Sequence, residues 1–154
     1  MRRKETSAYE LALRYVGLHE VPGKLSNPAI MAMLKLDSNW PNDDETPWCS
    51  AFANWIAWHL RLPRSKSLLA RSWLSVGEPI MQTQCEPGFD IVVLQRGGGN
   101  QPGPDDLTSP GHVGWFASWA NEMARVMVLG GNQGNSVSIV SFPVERVLGF
   151  RRLA

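Results

Sequence analysis

Cys49, His112 and Asn132 are the side chains whose types could together attack an acyl carbon. A thiol is nucleophilic as its thiolate. It ionises most readily at a helix N-terminus, where outward-pointing N–H groups and the macrodipole favour negative charge. The run Thr46-Pro47-Trp48-Cys49-Ser50-Ala51-Phe52-Ala53-Asn54-Trp55-Ile56-Ala57-Trp58-His59-Leu60 predicts that setting. Thr46 is a suitable N-cap and Pro47 suits the first helical position, so Cys49 falls in the first turn. The residues that follow are apolar nearly all round, the pattern of a helix buried inside a domain. A thiol so placed requires a base from elsewhere in the chain.

The chain has only three histidines. His59 lies on the same helix as Cys49, about 15 Å further along the axis at about 1.5 Å per residue, and is out of reach of the thiol. His19 follows the first helix beside Glu20 and reads as a loop residue at a helix end. His112 remains. It opens a strand directly after Ser109-Pro110-Gly111, small residues that let a ligand approach closely.

Strand pairing supplies a third member. If residues 120 to 123 turn the chain between two antiparallel strands, paired residue numbers sum to about 243, which sets His112 opposite Gly131 and beside Asn132. The segment Leu129-Gly130-Gly131-Asn132-Gln133 then returns an amide to the histidine's end of the sheet. Asn132 could accept from the imidazole and hold the tautomer that faces Cys49, with Gln133 as the reserve candidate. Gly130-Gly131 beside it is equally compatible with a simple turn.

The elements that must position these residues can be read from periodicity. Ser7-Ala8-Tyr9-Glu10 has the form of a capping box and predicts a first helix from about Ser7 to Leu18, ended by Val21-Pro22-Gly23. Asn27-Pro28 begins a short second helix with Ile30, Met31, Met33, Leu34 and Leu36 as its apolar positions. A polar loop from Asp37 to Glu45 leads to the helix of Cys49, and a further short helix is expected from Ser67 to Val76. The pattern then changes to strands: Phe89 to Gln95, His112 to Trp119, Ala124 to Leu129, Ser136 to Phe142 and a last one from Val147 to Arg152. A loop rich in Gly, Pro and Asp, from Arg96 to Pro110, interrupts them, and loops of that length are uncommon unless functional or mobile. Helices followed by consecutive strands predict an α+β domain with an antiparallel sheet. Neither an internal repeat nor a second domain is visible.

The 154 residues fit one domain, with a core from about residue 7 to 152. Fifteen Lys and Arg against fourteen Asp and Glu give a formal charge of +1, so nothing in the balance argues for a nucleic-acid partner and none is expected. The basic run Arg2-Arg3-Lys4 reads as a solvated tail. It is followed by Glu5 and an amphipathic segment, so no Sec-type signal is expected. No apolar run approaches the length of a membrane span. Zinc-spaced ligands are absent, Asn42-Asp43-Asp44-Glu45 lacks the alternating oxygens and central glycine of a calcium loop, and no cofactor is expected. Cys85 lies in a turn-like approach to a strand and reads as incidental, with both cysteines reduced.

Together, Thr46-Pro47-Trp48-Cys49-Ser50-Ala51-Phe52, Ala70-Arg71-Ser72-Trp73-Leu74, Asp90-Ile91-Val92-Val93-Leu94, Gly111-His112-Val113-Gly114 and Leu129-Gly130-Gly131-Asn132-Gln133 resemble the NlpC/CHAP superfamily of cysteine peptidoglycan hydrolases, and within it the single-domain phage endolysins. The likeness covers about Val21 to Phe150. It implies a papain-like α+β fold, with a buried nucleophile helix packed on a C-terminal antiparallel sheet, and hydrolysis of an amide bond in the peptide of bacterial peptidoglycan. Carried over by position, the nucleophile is Cys49, the base His112 and the third polar residue Asn132. Trp40, Trp48, Trp73 and Trp115 could line a groove for the wall peptide, with core as the alternative for at least two of them. Trp48, Trp73 and Gln133 are the substrate-binding candidates. Members of the family usually carry Pro-Gly-Asp before the first core strand, whereas here Phe89 stands between Gly88 and Asp90. Many also carry a wall-binding domain, which is not visible here. A monomer is expected, made in a cytoplasm and reaching the wall through a pore, a secretion apparatus or lysis. The rival readings are a papain-like effector that cleaves or deamidates a protein, and a non-catalytic wall-binding or virion module.

Overall fold

The computed structural model describes residues 5–22 and 25–154; the basic run Arg2-Arg3-Lys4 and the helix-ending Gly23 lie outside the described residues. Among the described residues, three short α-helices come first: α1 (Ala8–Leu13), α2 (Pro28–Leu34) and α3 (Cys49–His59). Six strands follow: β1 (Glu78–Ile80), β2 (Asp90–Gln95), β3 (Gly111–Ala120), β4 (Arg125–Gln133), β5 (Ser136–Pro143) and β6 (Val147–Arg152). They form one antiparallel sheet in the order β1-β6-β2-β3-β4-β5. The α+β order predicted from the sequence is therefore present, with β1 as a strand the sequence reading did not include.

Local chemistry explains most element boundaries. The Ser7 hydroxyl accepts from the Glu10 N–H while the Glu10 carboxylate accepts from the Ser7 N–H, closing the predicted capping box. α1 nevertheless stops at Leu13, short of the expected Leu18. The next turns tighten to i→i−3 bonds, from Arg14 to Leu11, Tyr15 to Ala12 and Val16 to Leu13, and Gly17 then takes a φ of +99°. From there the chain leaves to pair with β5, Gly17 N–H donating to Val137 and Val137 N–H to Leu18. Asn27 caps α2 with Pro28 at its first position, as expected. The helix predicted from Ser67 is a 3₁₀ turn, Ala70–Ser75, closed by Gly77 at φ +73°.

The start of α3 differs from expectation in a way that matters for the site. The chain turns at Asp43–Thr46, with Thr46 N–H donating to the Asp43 carbonyl, so Thr46 does not cap the helix. Trp48 is the N-cap residue, at φ −125° and ψ 16°, and no side chain caps the helix. Cys49 is the first helical residue, and the free N–H groups of this turn face the site instead of being consumed by a cap.

The sheet is buried on both faces across β2, where all residues from Asp90 to Leu94 are buried. On one face, Ile91, Val93, Val113, Trp115 and Leu129 pack with Phe52, Ile56 and Trp48 of the α3 segment and with Ala8, Ala12, Ile30 and Met33 of the other helices. On the other, Val92, Leu94, Phe116, Val126, Val128 and Phe150 form a second cluster. Asp90 and Arg152, paired across β2 and β6, form a two-pronged ion pair at 2.8 and 2.9 Å. Asp90 is 1% exposed and also accepts from the Glu86 N–H, so the strand that starts there is held at its first residue. Among the described residues no helix is long and apolar enough to cross a membrane.

Candidate active site

Cys49 and His112 meet where the N-terminus of α3 abuts the start of β3. Both line one recess, with Pro47, Asn132, Gln133 and Phe142 among its other walls. Burial pushes the Cys49 thiol up. The hydrogen bond and charge of His112, with the N–H groups of Val113 and Ser50, outweigh that effect and leave the thiol below its ordinary value. Burial works against charge on His112 as well. The bond and charge of Cys49 and the bond His112 donates to Gln133 overcome it and raise the imidazole, while Arg146 pulls it down. Each partner is shifted toward its charged form, the electrostatics of a thiolate–imidazolium pair.

His112 Nε2 lies 2.8 Å from Gln133 Oε1. The orientation of that amide is held by its other end, since Gln133 Nε2 donates to the carbonyls of Val128 at 3.1 Å and Ser138 at 2.7 Å. Oε1 is therefore the acceptor and His112 Nε2 the donor. That leaves Nδ1 as the nitrogen turned to Cys49, free to take the thiol proton.

The hydrogen bond expected from Asn132 is thus made by Gln133. The strand register lies one residue from the expected pairing, with Trp115 opposite Leu129. A bulge in β4 between Gly130 and Gln133 then inserts an extra residue. In an unbroken strand Asn132 would share the face of Gly130 and His112. The bulge shifts the alternation by one, so Gln133 takes that face while Asn132 adopts a φ of +58°. Asn132 remains in the cleft wall without a hydrogen bond to His112. Gly130 leaves room for the amide, because a Cβ there would sit 2.7 Å from Gln133 Oε1. The Gly134-Asn135 turn, at φ +61° and +58°, is the left-handed pair that a two-residue hairpin requires, and it locks Gln133 opposite Ser136.

Trp48 and Trp73, the other expected substrate contacts, are fully buried, as is Trp115. The Trp48 indole donates to Glu20 and that of Trp73 to the Ser50 hydroxyl. They brace the nucleophile's helix from behind and present no surface to a ligand. Trp40 is 61% exposed and does line the cleft. His19 and His59 bond to nearby backbone carbonyls away from the site. Cys85 is only half-buried, and desolvation with the Asp90 charge pushes its thiol up to about 12, the reverse of Cys49. Among the described residues no group of three or more His, Cys, Asp or Glu is placed to hold a metal ion.

A second recess meets the first at Cys49, sharing Pro47, Arg96 and Gly111 with it and continuing past Trp40, Lys66, Leu69 and Ser109. The thiol thus lies at the middle of an open groove. One wall is the loop from Arg96 to Pro110, and it is anchored by a residue to which sequence pattern assigns no role of its own. Arg71 is fully buried and, among the described residues, has no carboxylate partner. Its Nη1 donates to the carbonyls of Pro102, Gly103 and Asp106 and its Nε to that of Pro110. The only linear sign of it is an arginine inside a short helix of otherwise small and apolar residues. Gly111 lets this side chain pass, since a Cβ there would lie 2.9 Å from Arg71 Cγ.

Among solved structures, the chain is similar to "Structure of NlpC1 from Trichomonas vaginalis", with a TM-score of 0.54 and 15% identity over 99% of this chain. It covers 46% of that protein, about half its length, and at this identity the likeness is one of fold. The fold is accordingly NlpC-like. No protein-family model matches the chain, and no curated protein is matched by its sequence.

Proposed function

We propose that the protein is a thiol hydrolase of amide bonds in the peptide of bacterial cell wall, acting as endolysin-like enzymes do. The observation that carries this reading is that His112 bonds both Cys49 and Gln133 at the middle of an open groove, with the amide of Gln133 fixed by two backbone carbonyls. An NlpC-like fold supports the choice of wall peptide over other amides.

In the proposed reaction the Cys49 thiolate attacks the amide carbonyl, forming a C–S bond and an oxyanion. The Cys49 N–H, on the first helical residue and without an intrahelical acceptor, is available to that oxyanion. As the C–N bond breaks, the His112 imidazolium gives its proton to the leaving amine. His112, now neutral, takes a proton from water, which attacks the thioester and releases the acid with the thiolate restored. Gln133 accepts from Nε2–H throughout and holds the ring in the required tautomer, the orienting role that strand pairing predicts for Asn132.

The test is incubation with purified peptidoglycan. A fall in turbidity with new amine termini, abolished in Cys49→Ala, is the expected result, and mass spectrometry of the fragments identifies the bond. Binding without new termini would instead make the protein a wall-binding module. Preferential cleavage or deamidation of a host protein would make it an effector.

A further inference from the structure

The groove has a one-sided charge. Arg96 borders both halves, Arg146 the first and Lys66 the second, and neither half is lined by an Asp or Glu. The whole chain is almost balanced, at fifteen basic and fourteen acidic residues, so this excess reflects arrangement and not composition. Among the described residues neither Arg96 nor Arg146 takes part in an ion pair. Glu145, the neighbour of Arg146, lies with it on the rim of another recess outside the groove, and among the described residues the two form no ion pair.

Arg146 is held in place. Its guanidinium carbon lies 5.0 Å from the centre of the Phe142 ring, and that ring lies 5.4 Å from the His112 ring. Its Nη2 donates to the Gln95 carbonyl, while its Nε is buried with no partner among the described residues. A fixed guanidinium beside a ring that must carry positive charge works against the resting site. A bound anion would offset that repulsion. The sheet brings the two arginines together: Leu94 at the end of β2 pairs with Val147 at the start of β6, so the residues just outside each strand share one corner.

We propose that Arg96 and Arg146 form a carboxylate clamp on the Gln133 side of the thiol, selecting peptides with a free carboxylate close to the amide in the groove. The clamp deepens the hydrolase reading and rests on it only for the identity of that amide. Its chemistry requires a planar anion able to take parallel N–H bonds, which a carboxamide of the same shape cannot replace.

The experiment uses Cys49→Ala protein and two short wall-type peptides that differ only in one side group, carboxylate or carboxamide, with binding followed by calorimetry. The carboxylate peptide is expected to bind about tenfold tighter or more, as for a charge-assisted pair, and this advantage to shrink at high salt. In the Cys49→Ala, Arg96→Gln, Arg146→Gln protein the two peptides bind within about twofold of each other, and Arg146→Lys, which keeps the charge but not the fork, retains part of the preference. Equal binding of the two peptides by Cys49→Ala protein, or a preference that survives loss of both arginines, overturns the clamp. Hydrolysis by wild-type protein is read separately, so failure to cleave either peptide counts against the proposed activity and leaves the binding result standing.

Discussion

His112 Nε2 and Gln133 Oε1 lie 2.8 Å apart, brought together between the neighbouring strands β3 and β4 by a bulge that reverses which face of β4 the glutamine occupies. The bond assigns the imidazole's two nitrogens: one donates to a fixed amide, the other faces the thiol. Gln133→Leu removes the acceptor while keeping the bulk, and kcat/KM is expected to fall by about 10². Asn132→Gly, which suits the left-handed backbone, is expected to lower it less than about tenfold. A larger loss in Asn132→Gly than in Gln133→Leu would reverse the assignment.

The pH profile should respond to the site's neighbours with opposite signs. The acid limb of kcat/KM follows Cys49, held below its ordinary 9.0, and the alkaline limb follows His112, held above its ordinary 6.5. Gln133 raises His112, so Gln133→Leu moves the alkaline limb to lower pH. Arg146 lowers it, so Arg146→Gln moves that limb to higher pH. The rate of alkylation by iodoacetamide across the same pH range gives a readout that needs no substrate.

Alkylation should also separate the two cysteines. Cys49 is lowered by its surroundings and Cys85 is pushed up to about 12. At neutral pH, peptide mapping after brief treatment is expected to find label on Cys49 and almost none on Cys85, and His112→Ala to slow labelling of Cys49. Preferential labelling of Cys85 would contradict the electrostatics described for the site.

Arg71 ties the groove's loop to the body of the protein through four carbonyls. Arg71→Met leaves those carbonyls without their donor and is expected to lower stability by about 3 kcal/mol in denaturant unfolding. Proteolytic nicking should then appear first between residues 96 and 110. Unchanged stability with an intact loop would show that the carbonyls find other partners.

Close packing of β4 on α3 makes a further prediction. A Cβ at Gly131 would lie 2.7 Å from Trp48 Cζ3 and 2.8 Å from Phe52 Cβ. Gly131→Ala must push the sheet from the nucleophile's helix, with an expected loss of about 1–3 kcal/mol by urea unfolding and a lower kcat.

Linear pattern alone supplied the helix-first, strand-later order, the buried helix behind Cys49, the elimination of His19 and His59, and the choice of His112. These follow from short-range rules: capping, apolar periodicity, and the reach of a helix along its own axis. α3 begins two residues later than local pattern predicts, because a turn at Asp43–Thr46 precedes it and the pinning of Trp48 by Glu20 depends on a segment distant in the chain. Only the folded sheet decided that Gln133 and not Asn132 meets the imidazole, since a bulge of one residue exchanges the two faces of a strand and no local signal announces it. The same holds for Trp48 and Trp73, which aromatic type alone could not sort between core and cleft, and for Arg96 and Arg146, fifty positions apart and neighbours only because β2 and β6 run side by side. Side-chain identity states what chemistry is possible; strand register and packing decide which atoms are close enough to perform it.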